Sequence, residues 1–530
     1  MKKYIYAMIL ATGLFSACTN LDTYPEGATV TENQKDDVAE LQPDKKAASA
    51  ANSIMAAFYR NNAIFSSDFD FGYPAMMISM DTRGYDMVST TNNYNWFLEP
   101  LSYADVDYGN NFNRFFWSTL YNQIYACNQL LKKNPDEENA SPNVRFYQAQ
   151  AHAVRAFDYW VLAQIYQQTY VGHEGSPCVP IVTESNDEEV AYTGCPRSSI
   201  EAVYALIISD LNRALDLLEG NTVSRTDKRF VDKATVHGLR ARVYLTMQKW
   251  TDALGDAEAA IAGSGAPYYR DEVARPSFIS STDHSWMWGI VTAETDNPVN
   301  TVIVNYPSHI CTFIGNGYTQ YGAYRMINKK LFKSINKSDV RKGWWLDENR
   351  LSANLTPAQT TYTTQKGFPS YTNVKFAPYN NELGTSLNAS DIPLMRVEEM
   401  YLIKAECLGM SGRLQEGRQF LQDFIRNYRD VSYQCNAGSQ NDFQNEVYRQ
   451  RRIELWGEGM SYFDILRLGK NMDRRGGGYI NPEIIYNIPA GDYTLIYCIP
   501  QAEEEQNIQI SAEDNNPTST KPVAVKDTEN

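Results

Sequence analysis

Five histidines, eight cysteines and 63 acidic residues are the groups from which this 530-residue chain would have to build catalysis or metal binding. His152, His173, His237, His284 and His309 form no H-E-x-x-H pair, the spacing that sets two imidazoles on one helix face for zinc. The cysteines make no C-x-x-C pair either. A G-x-S-x-G nucleophile elbow, a P-loop and a strand-borne G-x-G-x-x-G are all missing, and the glycines of DRRGGGYINPE (473–483) lack the Lys-Ser/Thr that meets phosphate and metal. Glycoside hydrolysis needs only two carboxylates about 5 to 9.5 Å apart. A glycosidase therefore stays as the competing catalytic reading, while the economical one is a binding protein with no bond chemistry, no metal and no cofactor.

Binding chemistry is better represented. The chain holds 36 tyrosines and 9 tryptophans, rings that combine a flat apolar face with a polar edge and suit contact with sugar rings or peptide side chains. Tyr94, Asn95 and Trp96 in NNYNWF place rings beside amides, and Asp81 and Arg83 in MDTRGY add hydrogen-bonding groups for hydroxyls. Tyr318 and Tyr321, with Tyr324, lie in the Gly-rich GNGYTQYGAYR and form the second candidate set. Packing is the competing role for Trp96. Trp286 and Trp288 alternate in HSWMWGI as on a strand, which favours packing, and the adjacent Trp344 and Trp345 point apart, so at most one is expected at the surface.

These residues sit in loops that helices must hold. Ala234 to Met247 and Thr251 to Ala262 repeat apolar and small residues at helical spacing around a short turn, with Ala241, Tyr244, Ala253 and Ala260 at the small-large offsets of tetratricopeptide repeats. EEMYLIKAECLGMSGRLQEGRQFLQDFIRNY repeats the layout, with Ala405 at the small position. YQAQAHAVRAFDYWVLAQIYQQ and SSIEAVYALIISDLNRALDLLEG read as another pair, the second capped by Ser198 or Ser199. NRFFWSTLYNQIYACNQLLKK precedes them. The expected fold is mainly α, a stack of tetratricopeptide-type helical pairs over 46–510, with a few short strands and irregular insertions near 62–110, 169–197 and 265–395.

The ends carry a different message. Lys2 and Lys3, an apolar stretch from Tyr4 to Phe15 and the small pair Ser16-Ala17 describe an export signal over residues 1–17, too short to span a bilayer. Cys18 then stands where bacterial lipoproteins accept lipid, and acyl chains anchor without a spanning helix because each buried CH₂ contributes about 0.8 kcal/mol. Residues 18–45 read as a lipidated tether and N-terminal segment, and 511–530 as a flexible tail. The net charge of −15 argues against nucleic acid and suits an uncharged or cationic cargo. The other seven cysteines are scattered. Cys178 and Cys195 are close enough to close a loop, but buried free thiols are the expected state.

Several motifs together resemble the SusD/RagB family of lipid-anchored nutrient-binding proteins. CTNLDTYPEG is similar to the family's opening, and PLMRVEEMYLIKAECLGMSG to its Arg, Glu, Tyr-Leu, Ala-Glu helix through Arg396, Glu399, Tyr401, Leu402, Ala405 and Glu406. RRIELWGEGMSYFDILRLGK resembles its most specific signature, carrying Arg451, Arg452, Glu454, Glu458, Asp464 and Arg467. KSDVRKG, with Asp339 and Arg341, and YCIPQAEEEQ, with Pro500, also fit, although the family's usual Ile-Pro-x-x-Glu, Asn-Pro, Gln-Asn close survives here only as CIPQAEEEQNIQI. The alternating charges of the signature read as internal ion pairs joining the last helix to the repeats. The resemblance implies a SusD-like fold and a lipid-anchored, surface-facing outer-membrane protein. It further implies capture of an oligosaccharide, or in some members a peptide, and delivery to a TonB-dependent SusC-like barrel.

Overall fold

Polar caps begin the long helices where the hydrophobic pattern starts: Ser141, Ser199 and Asp232 each accept a bond from a first-turn backbone N–H, relieving donors that have no partner inside the helix. The computed structural model describes residues 42–90, 94, 96–517 and 521–528. The signal over 1–17, Cys18, most of the tether and Asn95 lie outside the described residues.

Helices α1 (Pro43–Ala57), α2 (Tyr73–Arg83), α3 (Asn111–Lys133), α4 (Pro142–Tyr166), α5 (Ile200–Leu218), α6 (Lys233–Thr246) and α7 (Trp250–Ala262) make the first part of the chain. The second part adds α8 (Val397–Met410), α9 (Leu414–Tyr428), α10 (Gln440–Glu454) and α11 (Ser461–Arg467). Consecutive helices pack on each other: α3 on α4, α4 on α5, α6 on α7 and α8 on α9. Helix α7 also packs on α8, so the two halves share one helical body.

Small residues permit the close approaches. Ala241, Ala253, Ala257 and Ala260 are fully buried between α6 and α7. At the α8–α9 crossing a Cβ on Gly417 would lie 2.8 Å from the Gly409 backbone nitrogen and 3.1 Å from the Ala405 carbonyl oxygen, so glycine is needed there.

The expected ion pairing is present and is buried. Glu454 at the end of α10 meets Arg341 at 3.2 Å, Arg396 at 3.1 Å and Arg429 at 2.8 Å. Desolvation pushes the Glu454 carboxyl up, but these three guanidiniums, Arg429 foremost, outweigh it and hold the group well below the ordinary carboxylate range. Asp464 pairs with both Arg451 and Arg467, and Arg467 reaches Glu406 on α8, which ties the signature segment to the preceding pair.

Among the described residues three two-stranded antiparallel sheets interrupt the helices: β1 (Met87–Ser89) with β3 (Arg325–Ile327), β2 (Trp286–Ile290) with β4 (Ile392–Arg396), and β5 (Met472–Asp473) with β6 (Asn487–Ile488). Trp286 and Trp288 are both buried, as are Trp344 and Trp345, so none of the four presents a ring to solvent. The described cysteines are free thiols, all buried, Cys178 and Cys195 included.

The end of the chain differs from expectation. Asn516 is buried and donates to the carbonyls of Tyr166 (2.6 Å) and Tyr497 (2.8 Å), and the Val525 N–H donates to Ile485 at 2.8 Å. Amide and carbonyl partners offered by the body thus hold segments whose polar composition reads as tail.

Candidate functional site

Strand pairing explains how two loops far apart in sequence meet. Ser89 at the end of β1 is the register partner of Arg325 at the start of β3. In an antiparallel pair the exit of one strand lies beside the entry of the other, so the chain leaving β1 toward Tyr94 and Trp96 faces the chain arriving from Tyr318 and Tyr321. Thr90 fastens the junction: its Oγ1 donates to the Gly322 carbonyl at 2.5 Å and accepts from the Tyr324 N–H at 3.1 Å. Gly322 has φ 90°, a backbone state that side chains with a Cβ rarely adopt, and it ends the short turn Tyr318–Tyr321.

The rings converge there. Tyr94 stacks on Trp96 with centroids 4.4 Å apart and planes 4° from parallel. Trp96 in turn meets Tyr318 edge-on at 3.8 Å. Tyr321 stands at 73° to Tyr94, with centroids 6.1 Å apart. Tyr94 is 59% exposed and Tyr321 55%, whereas Trp96 is half-buried and Tyr318 is buried. Two open tyrosine rings therefore form a corner, with Trp96 backing one wall and Tyr318 beneath. Such a corner offers one apolar face for stacking and a second at a steep angle, with phenol hydroxyls at the rim for polar contacts.

A second layer, unsuspected from sequence, supports the first. The His309 ring is stacked between Tyr318 (3.8 Å) and Phe71 (5.5 Å) and lies edge-on to Phe97 at 4.8 Å. Phe97 adopts a left-handed φ of 58°, an unfavourable state for a bulky residue, directly after Trp96. Histidine flanked by aromatics carries no sequence signal of such a role, since its partners come from three separate segments.

Two expected members are not at the corner. Asp81 lies on α2, whose residues are buried throughout, and its carboxylate accepts from the Gly459 N–H at 3.1 Å. Burial pushes its pKa up to about 8. Arg83 is also fully buried: it pairs with Asp105, donates to the Thr494 carbonyl at 2.9 Å and lies over the Tyr103 and Tyr497 rings. The MDTRGY segment reads as loop by composition, but its apolar neighbours Met76, Met77, Ile78 and Met80 make it a core helix. Asp81 and Arg83 are therefore structural. Asn95 lies outside the described residues.

A separate cleft of about 610 Å³ opens where the end of α1 meets β2, lined among others by Phe58, Arg60, Arg229, Trp288 and Asp296, and it contains none of the expected site residues. Among the described residues no group of His, Cys, Asp and Glu is placed to hold a metal ion, and no helix is long and apolar enough to cross a membrane.

A mainly helical body presenting an aromatic corner on loops defines a class of binding scaffold, and comparison with known proteins places it. A family model described as "Starch-binding associating with outer membrane" matches residues 32–245, and the "SusD family" model matches 309–528. The chain belongs to the SusD family. The SusD-like protein P2 of Formosa agariphila is 22% identical over 542 aligned positions, which cover 96% of this chain and 99% of that protein. Among solved structures, a SusD-like carbohydrate binding protein from Bacteroides vulgatus shares the fold with a TM-score of 0.72 at 24% identity, covering 89% of this chain and 98% of that one. A laminarin binding SusD-like protein shares it with a TM-score of 0.64 at 17% identity, covering 90% and 99%.

Proposed function

We propose that this protein captures oligosaccharides on the corner formed by Tyr94, Trp96 and Tyr321. It passes them to a TonB-dependent SusC-like barrel while held at the outer membrane by lipid on Cys18. The observation that carries this reading is the ring geometry: two tyrosines more than half exposed, at 73° to each other and backed by a stacked tryptophan. Exposed rings at fixed angles lose little entropy on binding, so they favour capture over chemistry. Membership of a family that includes carbohydrate-binding relatives supports glycan as the cargo. In this reading the protein makes and breaks no bonds; incubation with polysaccharides releases no sugar, and detection of released sugar would restore the glycosidase alternative. Anchoring is tested by metabolic labelling with a fatty-acid analogue, which should mark the wild-type chain and leave Cys18→Ala unmarked. Co-purification with a co-expressed SusC-like barrel tests delivery.

A further inference from the structure

Ten arginines are buried among the described residues. Eight of them meet a carboxylate, as Arg83 meets Asp105 and Arg467 meets Glu406. Arg474 has none but donates to five backbone carbonyls. Arg325 is the exception. Its Nη1 donates to the neutral Ser89 Oγ at 2.8 Å, and its Nε and Nη2 have no partner, although the residue is only 1% exposed. A buried guanidinium facing no acid and few acceptors is costly, and burial pushes its pKa down to about 10.

Its surroundings share the deficit. Both ring nitrogens of His309 and the Tyr318 hydroxyl are buried without a partner, and so are Asn316 Oδ1 and Gln320 Oε1. Seven of the 22 unpartnered buried side-chain atoms among the described residues thus fall between His309 and Arg325, in the segment that forms one side of the aromatic corner. Native interiors rarely leave such groups unpaired. Asn316 Oδ1, Gln320 Oε1 and one His309 nitrogen are acceptors, whereas Arg325 Nε and Nη2, the Tyr318 hydroxyl and the other His309 nitrogen are donors for which something else must supply acceptors. Arg325 lies over the Phe97 ring at 5.7 Å, His309 is 4.8 Å from the same ring, and Tyr318 stacks on His309. Burial, with Arg325 nearby, holds His309 neutral, leaving it one N–H to donate. The cluster is rich in donors and carries an uncompensated positive charge.

We propose that Arg325, Tyr318 and His309 receive the carboxylate or sulfate of an acidic oligosaccharide whose sugar rings rest on the Tyr94–Tyr321 corner. Arginine presents a planar fork that fits an oxyanion with two bonds, and Tyr318, in edge contact with Trp96, links the fork to the surface rings. Access of the oxyanion to this buried cluster requires the turn bearing Tyr318, flanked by Gly317 and Gly322, to rotate toward the corner. The net charge of −15 opposes an anion at long range, but screening beyond roughly 8 Å at physiological salt leaves the local cation to decide.

The inference rests on the carbohydrate reading of the corner. It is tested with the full chain on a glycan array holding neutral, uronate-containing and sulfated oligosaccharides, followed by calorimetry of the best acidic hit. Wild type should favour acidic glycans, with affinity falling as salt rises. Arg325→Gln should weaken them about tenfold or more, and Tyr318→Phe, which keeps every ring contact and so should fold, about threefold. Acidic hits bound equally well by both variants would overturn the proposal. Neutral hits that are lost in Trp96→Ala would overturn it while leaving the corner intact, and a chain that retains no glycan would sink both readings. Free galacturonate or inorganic sulfate binding as tightly as the oligosaccharide would identify a free-anion site and overturn the assignment to glycan.

Discussion

The Trp96 indole meets the Tyr318 ring edge-on with centroids 3.8 Å apart, although the two residues belong to loops separated by most of the helical body. The contact exists because β1 and β3 pair, and it places the exposed Tyr94 and Tyr321 rings at the surface end of a buried aromatic column. Capture of ligand and stability of this column are therefore separable. Tyr321→Ala should remove one wall of the corner, cutting glycan affinity severalfold while changing stability by less than about 0.5 kcal/mol, as expected of an exposed side chain. Thermal melts run beside the binding assay check both halves.

Glu454 compensates three buried arginines, so its loss leaves cations stranded. Glu454→Gln should destabilise the fold by about 3–5 kcal/mol in urea titrations at pH 7. The folded-state pKa lies well below the unfolded value, so the charged form's contribution is fully present above the ordinary carboxylate pKa and lost as pH falls through the folded one. Wild type should thus lose stability on acidification below about pH 4.3, and the variant should lose less over that range.

Asp81 has the opposite sign. Its folded pKa of about 8 exceeds the unfolded value, so the folded state holds a proton that the unfolded state has released. Between about pH 4 and 8 its contribution weakens as pH rises. Asp81→Asn keeps an oxygen for the Gly459 N–H and removes the buried charge, so it should raise the melting temperature at pH 8.5 more than at pH 5. A variant less stable at both values would contradict this.

The close approach of α8 and α9 predicts a steric effect. Gly417→Ala places a methyl within 3.1 Å of backbone on the neighbouring helix and should cost about 1–3 kcal/mol. Gly255→Ala, at a helical glycine with open space around it, is the matched control and should be neutral or stabilising.

What was readable in the sequence follows from range. Helical pairing rests on local periodicity and small residues, so α6 with α7 and α8 with α9 are legible, as is the pairing of Arg451 with Asp464, whereas the Glu454 partners Arg341, Arg396 and Arg429 come from outside the signature. Tyr94, Trp96, Tyr318 and Tyr321 were picked out one loop at a time by ring density, and their convergence depends on a three-residue strand pair too short to show a period. Asp81 and Arg83 were misplaced because polar side chains inside a buried helix look like loop residues until their partners, Gly459 and Asp105, come from elsewhere in the chain. Arg325 was invisible for the converse reason. The absence of an acidic partner, with Nε and Nη2 unpaired, is a property of three-dimensional neighbours alone.

The central claim, that the aromatic corner is where glycan is held, is tested most directly by calorimetry of the best array hit against wild type and Tyr94→Ala/Trp96→Ala. Loss of Tyr94 and Trp96 removes the stacked wall, and the account predicts at least a tenfold fall in affinity, about 1.4 kcal/mol or more, with the helical content unchanged by circular dichroism. Undiminished affinity in a folded double variant would place the ligand elsewhere and contradict it.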